Sequence, residues 1–370
     1  MKNNLLLILG ILISLTVKST PFYYDKFDRY NYIYNVNING KDYRFTLDTG
    51  SDFTIIDSNI ISRFGEPVKG EILSYFKNAN LITSHGIESE LNLYKPPTIK
   101  INAEKINLDV VLSYDLSHLS YATGQRIDGI IGLDVFINYI WSFDYVGGLI
   151  SIYKDSGFSL DYNKCITYLS EKGDVIIPFL QHGNIIYFKL DTGKNGGLDI
   201  TKDDKELIKF KLLGLSDESV DLLNNIRASD IIVISGFSFN NEKIMRMEGN
   251  FSQYAHRKLI GLGFLKRFDR FAIIPNEKLF CYDNFSTEDD PITLRKIRVG
   301  NFKDNEISLV YNDEVYLNSI LLKNGDVIKE LNGKQYEAKD IEQVREILSY
   351  AKKLKLVIRR GEQTLYRTIE

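Results

Sequence analysis

A mostly β chain is predicted, made of two similar halves followed by a smaller α+β module. Three observations carry this. The tripeptide Asp-Thr-Gly occurs twice, at Asp48-Thr49-Gly50 and Asp191-Thr192-Gly193, and each copy ends a strand reading Phe-x-Leu. Downstream of each lies a second matched pair, Ile130-Ile131-Gly132-Leu133 and Leu259-Ile260-Gly261-Leu262. The composition is rich in aromatics, with 23 Tyr and 21 Phe against 3 Met and one Trp, and aromatic and β-branched residues favour strands. The repeat divides the chain into a leader over 1–20, halves over 21–163 and 164–288, and a module over 289–370.

The leader comes first. Met1-Lys2 precedes an apolar or small run from Leu5 to Val17, followed by Lys18-Ser19-Thr20. A comfortable membrane span needs about 20 residues, so this shorter run reads as a secretory signal cut near Ser19 or Thr20, with an uncleaved anchor as the competing reading. In both readings the body of the protein is exported.

Each half then opens on an alternating hairpin. Ile33 to Leu47 turns at Asn39-Gly40, and Ile176 to Leu190 turns at His182-Gly183, so the second strand of each delivers the Asp. One Asp-Thr-Gly alone reads as a turn after a strand. Two on matched strand ends suggest carboxylates that face each other and share a proton. After the Gly-Leu segments, short helices are expected, the first around Val135 to Tyr139. Closing hairpins follow, Ile140 to Tyr153 turning at Gly147-Gly148 and Arg270 to Tyr282 turning at Asn276-Glu277. Asp134 has Gly263 as its repeat partner, so the duplication gives it no paired role, and it reads as a turn or cap residue.

At these residues the chain resembles the aspartic peptidases of the superfamily that joins retropepsins and pepsins, in which hydrophobic-Asp-Thr-Gly is followed by hydrophobic-hydrophobic-Gly in each lobe. The resemblance covers roughly residues 30 to 285. It implies a bilobal, pseudo-twofold acid-protease fold, two retropepsin-like β-barrel lobes with the substrate cleft between them. Because both motifs lie in one chain, a monomer is expected to hold a complete site. The resemblance makes Asp48 and Asp191 the catalytic pair, with Thr49, Gly50, Thr192 and Gly193 as supporting loop residues and the two Thr hydroxyls bonding across the lobe boundary. It also implies a flap hairpin between Glu71 and Leu93, with its tip near Thr83-Ser84-His85-Gly86. In the second lobe Ser235-Gly236-Phe237 is the best candidate for a matching loop.

The chemistry needs no metal, cofactor or covalent intermediate. Two close carboxylates cannot both ionise cheaply, so they hold one proton; the ionised partner deprotonates a water and the protonated one donates to the scissile carbonyl. The small Gly after each Thr lets backbone pass close to a carboxylate. The second motif departs from the family in having Lys194 where a hydroxyl is common. A cation there favours an ionised Asp191, which predicts an asymmetric pair.

From about Asp289 the character changes. Glu288-Asp289-Asp290-Pro291 reads as a linker. Strands are expected over Thr293 to Val299 and Ile307 to Tyr311, a helix over Ala338 to Ala351, and a closing hairpin at Gly361. Leu322-Lys323-Asn324-Gly325-Asp326-Val327-Ile328 followed by Leu331-Asn332-Gly333-Lys334 resembles the PDZ domains appended to bacterial exported proteases, over about 75 residues. Such domains take an extended peptide as an added strand beside a helix, so a peptide ligand of this module is implied. Ile320-Leu321 stands where the family has small residues, and Gly300-Asn301-Phe302 is a poor match to the carboxylate-binding loop.

Other classes find no support. Net charge is −3 with both signs dispersed and no basic stripe, which argues against nucleic acid. His85, His118, His182 and His256 lack metal-ligand spacing. Of the two cysteines, the repeat sets Cys281 level with Ile152, while Cys165 comes later, so they need not meet; neither has the context of a nucleophile. The leading reading is an exported aspartic endopeptidase acting on peptide or protein substrates. The alternative is a catalytically weak protease-fold scaffold that holds a peptide.

Overall fold

A computed structural model of the chain describes residues 19–24, 31–69, 81–82, 88–90, 92–101, 104–154, 160–253, 257–302 and 305–370. The chain is mostly β, as the sequence predicts, and its two halves repeat one strand order. In the first half, Asn31–Ile38 and Lys41–Leu47 form the opening hairpin. Its turn residues Asn39 and Gly40 have φ of 48° and 89°, both left-handed, so the turn twists with its strands. In the second half, Ile176–Gln181 and Asn184–Leu190 turn at His182 and Gly183 with φ of 49° and 86°.

The strand that carries Asp-Thr-Gly then makes the same neighbours twice. Lys41–Leu47 runs parallel to Gly129–Ile131, which is antiparallel to Ile55–Asp57, which is parallel to Val111–Tyr114. Asn184–Leu190 runs parallel to Leu259–Ile260, which is antiparallel to Leu198–Thr201, which is parallel to Glu242–Ser252. The Gly-Leu segment is thus wedged beside the motif strand in both halves, which explains why the two signatures travel together.

The halves meet in a shared sheet. Its order is Lys164–Thr167, Leu279–Phe285, Phe268–Ile274, Ile140–Asp144, Leu149–Tyr153 and Ser19–Tyr24. The central contact is antiparallel, with Phe143 opposite Phe271 and Ser142 opposite Ala272. The two Phe rings stack with centroids 4.5 Å apart. Around them, Phe136, Trp141, Phe264, Phe268, Phe280 and Tyr282 are buried in one core that extends into both halves. At about 1.5–3 kcal/mol for each large apolar side chain, this seam is a principal source of adhesion between the halves.

Several expectations change. Cys165 and Cys281 do meet: they lie directly opposite on neighbouring strands and form a disulfide. The repeat gave no reason to join them because Lys164–Thr167 is an extra edge strand outside it. Ser235-Gly236-Phe237 is no loop. It lies inside the strand Ile226–Phe239, whose register with Glu242–Ser252 runs unbroken on both sides of Gly236. The second half's large hairpin is instead Phe210–Val220 with Ile226–Phe239, turning over residues 221–225. In the first half, Leu81–Ile82 pairs antiparallel with Glu88–Ser89, the base of the expected flap hairpin. The expected flap tip at Thr83 to Gly86 and most of the leader lie outside the described residues. The helix expected around Val135 to Tyr139 spans Leu133–Phe136.

The C-terminal module has its own five-stranded sheet in the order Val299–Phe302, Glu306–Leu309, Val327–Leu331, Leu354–Arg360, Gln363–Ile369. Leu317 of the helix Glu314–Ser319 and Ile341, Val344 and Leu348 of the helix Ile341–Tyr350 close a separate core over it. The strand expected over Thr293 to Val299 begins only at Val299. Residues before it bond sideways instead: Thr293 to Glu248, and Arg295 to the carbonyls of Ala351 and Lys352.

Candidate active site

The two Asp-Thr-Gly loops sit against each other where the halves meet. The Asp48 amide donates to the Ile131 carbonyl at 2.9 Å, and the Asp191 amide donates to the Ile260 carbonyl at 2.9 Å. Each Gly-Leu segment therefore fixes its own aspartate's backbone. Each carboxylate is also held by its own loop. Asp48 Oδ1 accepts from Gly50 and Ser51 at 2.8 and 3.1 Å, and Asp191 Oδ1 accepts from Gly193 and Lys194 at 2.9 and 3.0 Å.

Across the boundary the contacts are reciprocal. The Thr49 amide donates to Thr192 Oγ1 at 3.0 Å, and the Thr192 amide donates to Thr49 Oγ1 at 3.1 Å. Thr49 Oγ1 donates in turn to the Leu190 carbonyl at 2.8 Å. Both threonines are fully buried. A buried amide without a partner costs about 1–3 kcal/mol, so neither loop can withdraw without exposing that cost in the other.

The glycines explain the close approach, with a correction to which carboxylate is approached. A Cβ on Gly50 would lie 2.6 Å from Asp191 Oδ2, and one on Gly193 would lie 2.3 Å from Asp48 Cγ. Each glycine makes room for the aspartate of the opposite half. Six residues singled out in the sequence, Asp48, Thr49, Gly50, Asp191, Thr192 and Gly193, are thus brought into one constellation.

The two carboxyls lie close enough to share a proton. Both aspartates are half-buried: protein surrounds them deeply enough to penalise charge, yet each retains accessible surface. Burial, then the negative charge of Asp191, pushes Asp48 up to about 8. Burial also raises Asp191, but the hydrogen bond from Asp48 and the positive charges of Lys189 and Lys194 pull against it. The pair is therefore asymmetric, with Asp48 the better holder of a proton.

Lys189 is a residue that the sequence reading missed. It occupies the x of Phe-x-Leu-Asp-Thr-Gly, where the first half has Thr46, so a comparison of the two copies contains the signal. It is buried, with its Nζ 2.7 Å from Asp174 Oδ1. Lys194 is also mostly buried, and its Nζ lies 2.7 Å from Asp199 Oδ1 rather than on Asp191. Its backbone amide holds Asp191 in the same way that the Ser51 amide holds Asp48. Asp134 accepts from the Thr54 amide at 2.9 Å and from Thr54 Oγ1 at 2.7 Å. It thus ties the Gly-Leu segment to the strand after the first motif and stands outside the pair. Among the described residues, no group of three or more His, Cys, Asp or Glu is gathered as a metal would require.

Residues 34–135 match the aspartyl protease family. This stretch holds the first Asp-Thr-Gly and the first Gly-Leu segment. No curated protein matches the chain. Among solved structures, a retropepsin-like aspartic protease from Rickettsia conorii is similar at 20% identity, covering 33% of this chain and 89% of that one, with a TM-score of 0.25.

Proposed function

We propose that this chain is an exported aspartic-type endopeptidase whose two lobes contribute Asp48 and Asp191 to one water-activating site. The observation that carries the reading is the reciprocal packing of the two Asp-Thr-Gly loops, in which each glycine lies against the aspartate of the opposite half and the two carboxyls are brought together. The match of residues 34–135 to the aspartyl proteases supports the same reading for the first half.

In this mechanism Asp48 starts protonated and Asp191 ionised. Asp191 takes a proton from a water whose oxygen attacks the scissile carbonyl carbon, while Asp48 donates its proton to the carbonyl oxygen. The tetrahedral intermediate then breaks its C–N bond. The leaving nitrogen takes the proton from Asp191 and the gem-diol returns one to Asp48, so the pair ends as it began. Lys189 and Lys194 favour the ionised state of Asp191 without touching the reacting atoms. Export rests on the leader, and the disulfide between Cys165 and Cys281 suits an oxidising compartment.

The test is digestion of an unstructured protein from acidic to alkaline pH, with and without a pepstatin-type inhibitor, beside Asp48→Asn and Asp191→Asn. The expected outcome is inhibitor-sensitive cleavage lost in both variants. Tight peptide binding without cleavage in the unmodified protein would instead favour the scaffold reading.

A further inference from the structure

The second half's long hairpin does not stay over its own half. Leu222 and Leu223 at its tip pack against a first-half cluster that includes Phe53, Ile55, Leu112 and Leu119. Phe53 lies three residues after the first motif, and its carbonyl accepts from Ser51 Oγ. His118, on the helix Ser117–Thr123, places Nε2 3.0 Å from the Asp221 carbonyl. The Asp221 carboxylate fixes the tip's shape by accepting from the amides of Leu223 and Asn225. The hairpin therefore crosses from one half to the other.

The C-terminal module grips both partners of this crossing. On one side its edge strand Val299–Phe302 and its helix Ile341–Tyr350 close on residues 121–124. A Cβ on Gly300 would lie 2.4 Å from the Tyr121 carbonyl, and one on Gly124 would lie 2.6 Å from Ile341 Cδ1. Arg345 is buried and donates through Nη2 to the carbonyls of Ala122 and Val299 at 3.1 and 2.8 Å, one in each body. Tyr121 Oη and Ser308 Oγ are 3.0 Å apart. On the other side Arg298 meets Asp217 of the hairpin, with Nε and Nη2 both 2.8 Å from Oδ1, and Lys296 Nζ lies 3.7 Å from Oδ2. Beside these ions the seam opens into a cavity of about 220 Å³ lined by Leu215, Ser216, Lys296 and Tyr316, so polar contacts rather than continuous packing hold it.

We propose that the module acts in cis as a latch on the cleft: its edge strand and helix take residues 121–124 of the first half as their occupant, and Arg298 holds the hairpin closed through Asp217. The edge beside the helix is where a module of this strand order would accept an added strand. Here the last turn of the helix Ser117–Thr123 lies against that edge, without pairing to it as a strand. Burial raises Asp217, and the Arg298 and Lys296 charges more than offset this. The effect of the latch on turnover rests on the endopeptidase reading, but the latch itself does not.

The experiment uses the full chain and hydrogen exchange of backbone amides in Asp217→Asn, Arg298→Gln, the double variant and Gly300→Val. Either single change is expected to speed exchange over residues 210–226 about tenfold, with the double variant no faster, because both singles break one contact. Gly300→Val is expected to speed exchange over 117–124, while 354–369 stays protected in every variant. Unchanged exchange over 210–226, or equal loosening of 354–369, overturns the latch. With an unstructured protein substrate, Arg298→Gln is expected to lower KM several-fold at unchanged kcat; a fall in kcat at constant KM also overturns it. If the unmodified protein cleaves nothing, the endopeptidase reading fails, and the exchange measurements still decide the latch.

Discussion

The two Asp-Thr-Gly loops have nearly the same backbone and different surroundings. Each is fixed by its Gly-Leu segment, wraps its own carboxylate in two amides and makes room for the other's aspartate. Around Asp48 the neighbours are neutral, Thr46 and Ser51, with Thr54 bound to Asp134. Around Asp191 stand two buried lysines, each paired to a nearby aspartate. Symmetry thus fixes where the carboxyls sit, and the departures from it decide which one keeps the proton. A general acid and a general base can be made from two identical side chains by editing only what surrounds them.

The largest expected effect comes from removing one carboxyl of the pair. Asp48→Asn or Asp191→Asn is expected to lower kcat by roughly 10³-fold or more in a peptide-cleavage assay. Stability separates the two. Asp48 binds its proton in the folded state up to about pH 8, whereas an unfolded aspartate releases it near pH 4. Between those values the folded state holds more protons, so stability falls as pH rises, and Asp48→Asn removes that slope. The variant is expected to be more stable than the parent at neutral pH, measured by denaturant unfolding at pH 5 and pH 8. Equal slopes in variant and parent would remove Asp48 as the proton holder.

Next in size are the reciprocal threonines. Thr49→Val and Thr192→Val each leave a buried amide of the opposite loop without its acceptor, at a cost of about 1–3 kcal/mol. Thermal unfolding is expected to fall in both, and further in Thr49→Val, which also loses the bond from Thr49 Oγ1 to the Leu190 carbonyl. A large loss in one alone would break the symmetry assigned to the loops.

Asp134→Ala tests a contact that the second half lacks. It removes both bonds to Thr54 and leaves that buried amide unpaired, while the hydroxyl keeps the Gly132 amide; the loss costs about 1–3 kcal/mol. The pH-rate profile should keep its shape, because Asp134 supports the loop without joining the pair; a shift in either limb would give it a larger role. The smallest effect is expected from Lys194→Ser. Its positive charge favours ionised Asp191, so its loss raises the point at which Asp191 ionises. The acid limb of the pH-rate profile is expected to move to higher pH. A shift toward lower pH would reverse the sign assigned to Lys194.

Much of the arrangement is legible in the chain because strand period and turn chemistry are local. Asn39-Gly40 and His182-Gly183 announce left-handed turns, and the matched strand ends place both aspartates alike. The disulfide was not legible, since Lys164–Thr167 belongs to neither copy of the repeat and only the assembled sheet sets it beside Leu279–Phe285. The second hairpin was misplaced because Gly236, with φ of 70°, resembles a turn signal while its strand continues through it. Thr293 to Arg298 has a strand-like pattern, yet its partners are side chains and carbonyls of distant segments. Lys189 differs again: the signal is present, two positions before the second aspartate, and only direct comparison with Thr46 isolates it.

The antiparallel seam at Phe143 and Phe271 has one more consequence. The repeat sets Phe143 level with Ala272 and Phe271 level with Ser142, so the stacked rings are not copies of each other. Two copies of either half alone would bring an aromatic against a small residue at this seam, so the stacked joint needs both halves as they now differ.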